Sequence, residues 1–330
     1  MHPKFLRYVA PATTFVFAAA LVLTGGAAVA SPGDPTDAVA GIVTGASGST
    51  ARTVDAMESG VNTLVAKTAS GKVEVDTAPR GSVKLTSGAG ATVSIGLPRE
   101  ASTGAARESS DGSIVFAGAP GSADVVVQVS NGSTRISTLI GSGDQSERFT
   151  YPLSPDVVPV IEADGSVSLL RKVMVAAPTT GQTVSGNVVA GTIAVPWARD
   201  ASGVDVPTHY ELDGHAIVQV VKHRSAGVTY PVVADPQYSS SWLNSYIWFN
   251  HAETATLAAG GWGATGLSAI CALAGGPVLA AVCFAAFGSV VYTAGVANNS
   301  RPSKCVAVRW TNALVINYIT PFTYSGSRCN

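Results

Sequence analysis

The hydrophobic rhythm of the chain changes abruptly near residue 254. Between residues 61 and 236, apolar and polar positions alternate in short runs, as in Lys72-Val73-Glu74-Val75-Asp76, Ser82-Val83-Lys84-Leu85-Thr86 and Thr92-Val93-Ser94-Ile95. A period of two turns one side of each strand to a core and the other to water. Asp111-Gly112, Asn131-Gly132, Asp164-Gly165 and Asp213-Gly214 punctuate these runs, and such pairs tolerate the positive φ of tight hairpins. Further strands at 125–129, 157–161, 167–170 and 217–221 predict a mainly antiparallel sandwich or barrel. The Gly-, Ser-, Thr- and Ala-rich stretches 100–110 and 177–187 are expected to be exposed loops.

From Thr254 to Ser300 there is no Asp, Glu, Lys or Arg. Gly275-Gly276-Pro277 divides this tract into two helix-length halves, which predicts a helical hairpin. Asn250 and Glu253, three residues apart, form a capping-box start for its first helix. Ala255, Ala259 and Gly263, and likewise Ala281, Ala285 and Ser289, recur every four positions, giving stripes along which backbones could approach. Gly260, Gly261, Gly263 and Gly266 each weaken the first helix by about 1 kcal/mol relative to Ala, which packing has to offset. The preceding aromatic patch contains Tyr238, Trp242, Tyr246, Trp248 and Phe249. It reads either as a membrane-interface belt or as a plug packing the hairpin against the β region. Trp242, Tyr246, Trp248, Phe249 and, inside the tract, Trp262 are the candidate interface aromatics.

Polar residues return after Ser300, and two further β runs, 305–310 and 314–320, predict a terminal hairpin ended by Pro321. All four cysteines, Cys271, Cys283, Cys305 and Cys329, lie in this last quarter. Four cysteines allow three pairings. Cys271 and Cys283 each stand six residues from Pro277, so a hairpin folded there brings them level, favouring Cys271 with Cys283 and Cys305 with Cys329. The expected architecture is therefore α+β, a β-rich domain over 61–236 followed by a disulfide-stapled helical and β-hairpin module over 237–330.

The N-terminus adds an address. Lys4 and Arg7, an apolar run over 15–23 and Ala28-Val29-Ala30 read as a secretory signal spanning 1–30. Residues 31–60 read as a flexible lead-in, with at most a weak helix near 54–58. Secretion implies an oxidising compartment in which the cysteines pair. Apolar residues make up 46% of the chain and charged residues 12%, an imbalance concentrated at its two ends. The net charge of -1 and the lack of any Lys or Arg block set nucleic-acid binding aside.

No metal or cofactor is expected, because the cysteines have neither a CxxC spacing nor a His partner at ligand spacing. With Asp213-Gly214 as the turn, Leu212 faces His215, and His209 and His215 lie on opposite strand faces. His215 and His223 share a face but stand roughly 27 Å apart along an extended strand. GxSxG, SxxK and HExxH are missing. Asp200, His209 and a serine could be combined into a triad, but any secreted β protein offers such combinations. Asp235 reads as a turn former before Pro236.

The phrase Tyr230-Pro231-Val232-Val233-Ala234-Asp235-Pro236, followed by the aromatic patch and Phe249-Asn250-His251-Ala252-Glu253-Thr254, resembles a recurrent pattern in uncharacterised secreted proteins of actinobacteria. The likeness covers roughly the second half of the chain. It implies a fold and an extracellular address and carries no established activity. The sequence thus predicts a non-enzymatic interaction protein at the cell envelope or outside it, with an unidentified protein or envelope component as partner and possible membrane contact through 254–300. The alternative is a membrane-active, toxin-like C-terminal module carried by the β domain, and a secreted hydrolase is a remote third.

Overall fold

A computed structural model describes residues 33–48, 57–58, 61–68, 71–87, 92–176, 183–239, 244–312 and 317–329. The expected signal segment lies outside these residues. The fold is α+β and mainly antiparallel. A meander of Met57–Glu58, Thr63–Thr68, Gly71–Asp76, Ser82–Ser87 and Thr92–Gly96 forms one sheet in chain order. Its alternation works as read: Val73, Val75, Val83, Leu85, Val93 and Ile95 are buried. On the opposite face Glu74 bonds Lys72 at 3.1 Å and Lys84 at 3.3 Å.

The buried face packs on a large thirteen-stranded sheet and on a small sheet made by Arg148–Pro152, Ala216–Val221 and Thr208–Asp213. All four Asx-Gly dipeptides join strands that pair with each other. One register differs from expectation. Asp213 pairs with Ala216 and Leu212 with Ile217, so the tight turn is Gly214-His215, with Gly214 at φ +58°. The stretch 100–110 is also more than an exposed loop: Ala101 and Thr103 are buried, and the Glu100 carboxylate accepts from the Thr150 amide (2.6 Å) and hydroxyl (2.7 Å). Residues 177–182 lie outside the described set, and Thr183–Ile193 is a strand of the large sheet.

Part of the expected lead-in is a helix, α1 (Pro35–Ser47). Asp34 caps it through the Thr36 amide, Pro35 occupies the first turn, and Gly48 closes it at φ +59°. Val115, Val126 and Leu139 point away from the main core because their neighbours Ile114, Val125, Val127 and Ile140 point into it. Ala40 and Val43 of α1 cover that back face. Met57–Glu58, where weak helicity was expected, is a short edge strand paired with Leu64 and Val65.

The apolar tract forms α2 (His251–Ala258), α3 (Gly263–Ala285) and α4 (Phe287–Asn298). The Asn250 capping box is present, with both reciprocal bonds at 2.9 Å. α3 doubles back at Gly276, whose φ is +74°. In a straight helix, residues twelve apart would be separated by about 18 Å, yet the Cys271 and Cys283 Cα atoms are 6.4 Å apart and bridged. Ser268 likewise donates to the Ala280 carbonyl at 2.8 Å across the two legs. The hairpin is thus present, but each arm is broken. Gly260 and Gly263, both at positive φ, separate α2 from α3, and α4 turns 68° from the second leg. The small-residue stripes do not form the seam: Ala255, Ala259, Ala281, Ala285 and Ser289 are exposed. Larger side chains make it, with Leu257, Leu267, Ile270, Leu279 and Val290 buried together with the Cys271–Cys283 bridge. Among the described residues no single helix is long and apolar enough to cross a membrane; one bent pair, Gly276–Ala285 with Phe287–Asn298, passes by length and composition.

Three strands carry these helices: Asn244–Trp248, Cys305–Asn312 and Asn317–Tyr324, at one end of the large sheet. Pro321 lies within the last strand, opposite Val308, and does not end it. That strand is the sheet's edge, where a missing N–H is tolerated. Cys305 and Cys329 form the second disulfide. Two buried disulfides are consistent with an oxidising, extracellular environment.

Candidate functional site

The alternation of the strand Asn244–Trp248 and the residue that follows it splits the aromatic patch between two faces. Ile247 and Phe249 are buried under the helices with Val306 and Val308. Tyr246 and Trp248 point the other way. Cross-strand register places Arg309 between Tyr246 and Thr320, and Ala307 between Trp248 and Phe322. The small Ala307 leaves room above it for both rings to lean together: Trp248 meets Phe322 edge-on at 5.6 Å and Tyr324 edge-on at 4.7 Å, while Tyr246 stacks on Trp248 at 5.4 Å. Such pairs add about 0.5–1.5 kcal/mol each beyond the area they bury.

Facing this aromatic wall is the hairpin of Val157–Ile161 and Val167–Ala176. The two enclose a cleft of about 770 Å³, within the 300–1,000 Å³ range of small-molecule sites. Arg328 closes one side. Its guanidinium lies 4.1 Å from the Trp248 ring centroid and is bonded to Glu162 and Ser168. The disulfide of the adjacent Cys329 to Cys305 holds that segment against the sheet. The Tyr324 hydroxyl is bonded to the carbonyls of Phe249 (3.0 Å) and Arg328 (2.9 Å). Burial pushes its phenol up, so it remains a neutral donor.

Two donors on the lining are buried without a hydrogen-bond partner: Arg309 Nε and Trp248 Nε1. The charged lining residues are Arg309, Arg328 and Glu162, two positive and one negative, which leaves one positive charge in excess.

The chain matches no protein-family model, no curated protein and no solved structure. Its chemistry therefore has to be read from the site alone.

Of the candidate interface aromatics, Tyr246 and Trp248 come together in this cleft. Phe249 and Trp262 do not; they are buried against each other, ring centroids 5.4 Å apart, inside the helical core. Trp242 lies outside the described residues. Tyr238 belongs to the main β core, where its ring covers Gly191 and its hydroxyl donates to the Ala190 carbonyl at 2.8 Å. Sequence reasoning missed Arg309, Arg328, Glu162, Phe322 and Tyr324. A period-two reading of 305–312 and 317–324 would have put Arg309 with the aromatics, but Glu162 and Arg328 meet only through the fold.

The histidines are dispersed. His209 contacts Glu211 at 3.2 Å on the surface, and His215 bonds the Val157 carbonyl at 3.1 Å. His223 is fully buried, between the Tyr230 hydroxyl (2.9 Å) and the Ser146 carbonyl (3.0 Å). His251 Nε2 lies 3.4 Å from Cys329 Sγ, but that sulfur and its neighbour on Cys305 are joined in a disulfide and offer no thiolate. Asp200 organises a loop: the amides of Thr229, Val204 and Ser202 bond its carboxylate and hold it below the ordinary range. Asp235 is not merely a turn former. It is buried beside Arg135, with Oδ2 3.7 Å from Arg135 Nε.

Proposed function

We propose that this is a secreted, non-enzymatic binding protein of the cell envelope or extracellular space, and that the aromatic cleft is its binding site. The observation that carries the reading is the cleft itself: an aromatic wall facing the 157–176 hairpin and closed on one side by Arg328, whose segment is held by the Cys305–Cys329 disulfide. The β-rich region then serves as the rigid platform for one long wall. The test is fractionation of an actinobacterial host expressing the full chain, with Tyr246→Ala and Trp248→Phe compared against the parent. The protein should leave the cytosol with oxidised cysteines, and the variants, still folded by circular dichroism, should lose at least about fivefold of the envelope-bound fraction. Cytosolic retention, or envelope binding indifferent to both substitutions, overturns the reading.

A second reading, direct contact of the helical module with lipid, is favoured by a separate observation. Leu273, Val278, Phe284, Tyr292 and Val296 are all exposed on an uncharged surface. Leakage of dye from liposomes by the full mature chain, more rapid after reduction of Cys271–Cys283, would support it; no leakage in either redox state would remove it.

A further inference from the structure

The outer face of α4 joins exposed apolar side chains to unpaired positive charge, and this inference rests on the reading that the helical module contacts lipid, to which it adds the lipid class and the recognising residues. Val290, Ala294 and Ala297 bury one side of α4 in the helical core. Ser289, Tyr292 and Val296, three and then four residues apart, share the other side. Tyr292 is 75% exposed and Val296 49%. A helix apolar on both sides is ill suited to water on either. Beyond Asn298 the chain folds straight back: the Ser300 and Lys304 amides both donate to the Ala297 carbonyl, at 3.2 Å and 3.0 Å. That turn keeps Arg301 and Lys304, both exposed, at the end of α4 where Val296 stands. Among the described residues neither side chain forms an ion pair. No carboxylate is placed to neutralise them. α4 packs on α2, α3 and the strands Cys305–Asn312 and Asn317–Tyr324. From residue 251 onward the sequence has a single acidic residue, Glu253, and it is buried and bonded to Ser185 and the Asn250 amide. The chain as a whole carries -1, so attraction to an anionic surface has to come from a local patch such as this one.

We propose that the C-terminal end of α4 docks peripherally on an anionic membrane surface, with Tyr292 and Val296 entering the headgroup boundary and Arg301 and Lys304 meeting the lipid phosphates. A phenol suits that depth, where its ring lies in the apolar layer and its hydroxyl in the polar one. Cations beside an interfacial helix add attraction to anionic lipid, and the buried apolar area adds the rest.

The test is sedimentation of the full mature, oxidised chain with vesicles of phosphatidylcholine and with vesicles of phosphatidylcholine mixed with phosphatidylglycerol. Binding to the mixed vesicles should be at least about tenfold tighter, since two cations at about 1 kcal/mol each near such a surface correspond to about thirtyfold. Arg301→Gln with Lys304→Gln should remove that preference, and so should about 0.5 M salt, where the screening length is under about 5 Å. Tyr292→Ser should weaken binding to both vesicles by at least about threefold and leave the preference in place. All three positions are exposed, so the variants should keep the parent's circular dichroism. Equal binding to the two vesicles, or a preference that the double variant retains, overturns the proposal even where the lipid-contact reading survives. Binding indifferent to Tyr292→Ser overturns the docked face. Binding to neither vesicle overturns the proposal outright, and dye leakage from the same vesicles then decides the lipid-contact reading separately.

Discussion

Replacing Asp235 with Asn should remove a specific pH dependence of stability. The Asp235 side chain is 1% exposed; Oδ1 accepts from the Trp197 amide at 3.3 Å, and Oδ2 has no hydrogen bond, only the Arg135 guanidinium at 3.7 Å. Arg135 is partly spent elsewhere, donating to Gln237 at 2.7 Å and lying over the Trp197 ring. The remaining titratable neighbours, Tyr210 and Tyr151, are neutral phenols whose burial raises them further. Burial therefore outweighs both the amide and the guanidinium, and lifts the carboxyl from 3.8 to about 7. The sign follows from proton counting. Between those values the unfolded chain has lost the proton and the folded chain keeps it, so stability falls as pH rises through this window and levels off above it. A displacement of about 3 units corresponds to about 4 kcal/mol in all, of which between about 2 and 3 kcal/mol falls between pH 5 and pH 8. Urea unfolding at those two pH values reads it directly, because contributions from other groups cancel between parent and Asp235→Asn. If the two proteins show parallel pH dependence within about 0.5 kcal/mol, burial does not dominate at this carboxyl and the reasoning fails.

Four further outcomes follow from the packing. Cys271→Ser with Cys283→Ser should lower stability by about 3 kcal/mol, the loop-closure value for a link of this span, measured by denaturant midpoint under non-reducing conditions. Asn250→Ala should cost about 1 kcal/mol through the lost cap, and Asn250→Ser should restore most of it. Gly191→Ala, which would drive a methyl into the Tyr238 ring, should cost about 1–3 kcal/mol. Tyr238→Leu in the same background should recover part of that loss. Val43→Asp should release α1 from the sheet, seen as new protease cleavage within 35–47 while the rest of the chain melts nearly as before.

What could be read from the sequence was what depends on near neighbours. The Asx-Gly turns, the Asn250 box and the fold at Gly276 are specified within a few residues, and the two disulfides follow once that fold is granted. What could not be read depends on distant partners. The segment of α1 has weak helical propensity, with Gly, Val and Thr in its interior; Val115, Val126 and Leu139, far along the chain, hold it in place. Composition alone does not say whether glycines are offset by packing or become breaks, so the tract reads as two long helices, whereas Gly260 and Gly263 are breaks. For the cleft, two of its aromatics were singled out from the sequence, Tyr246 and Trp248. Their separation from Phe249 required the register of the strands, and Arg309 and Arg328 acquire meaning only beside them.

The large sheet branches, and its edges include Asn317–Tyr324, Arg107–Glu108 and Val157–Ile161. Pro321 interrupts the first of these and Pro159 the third, while Arg107–Glu108 is two residues long and charged. A molecule with so much β-structure would otherwise be a template for stacking copies of itself. An edge interrupted by proline or cut to two residues offers a second copy little continuous ladder to extend.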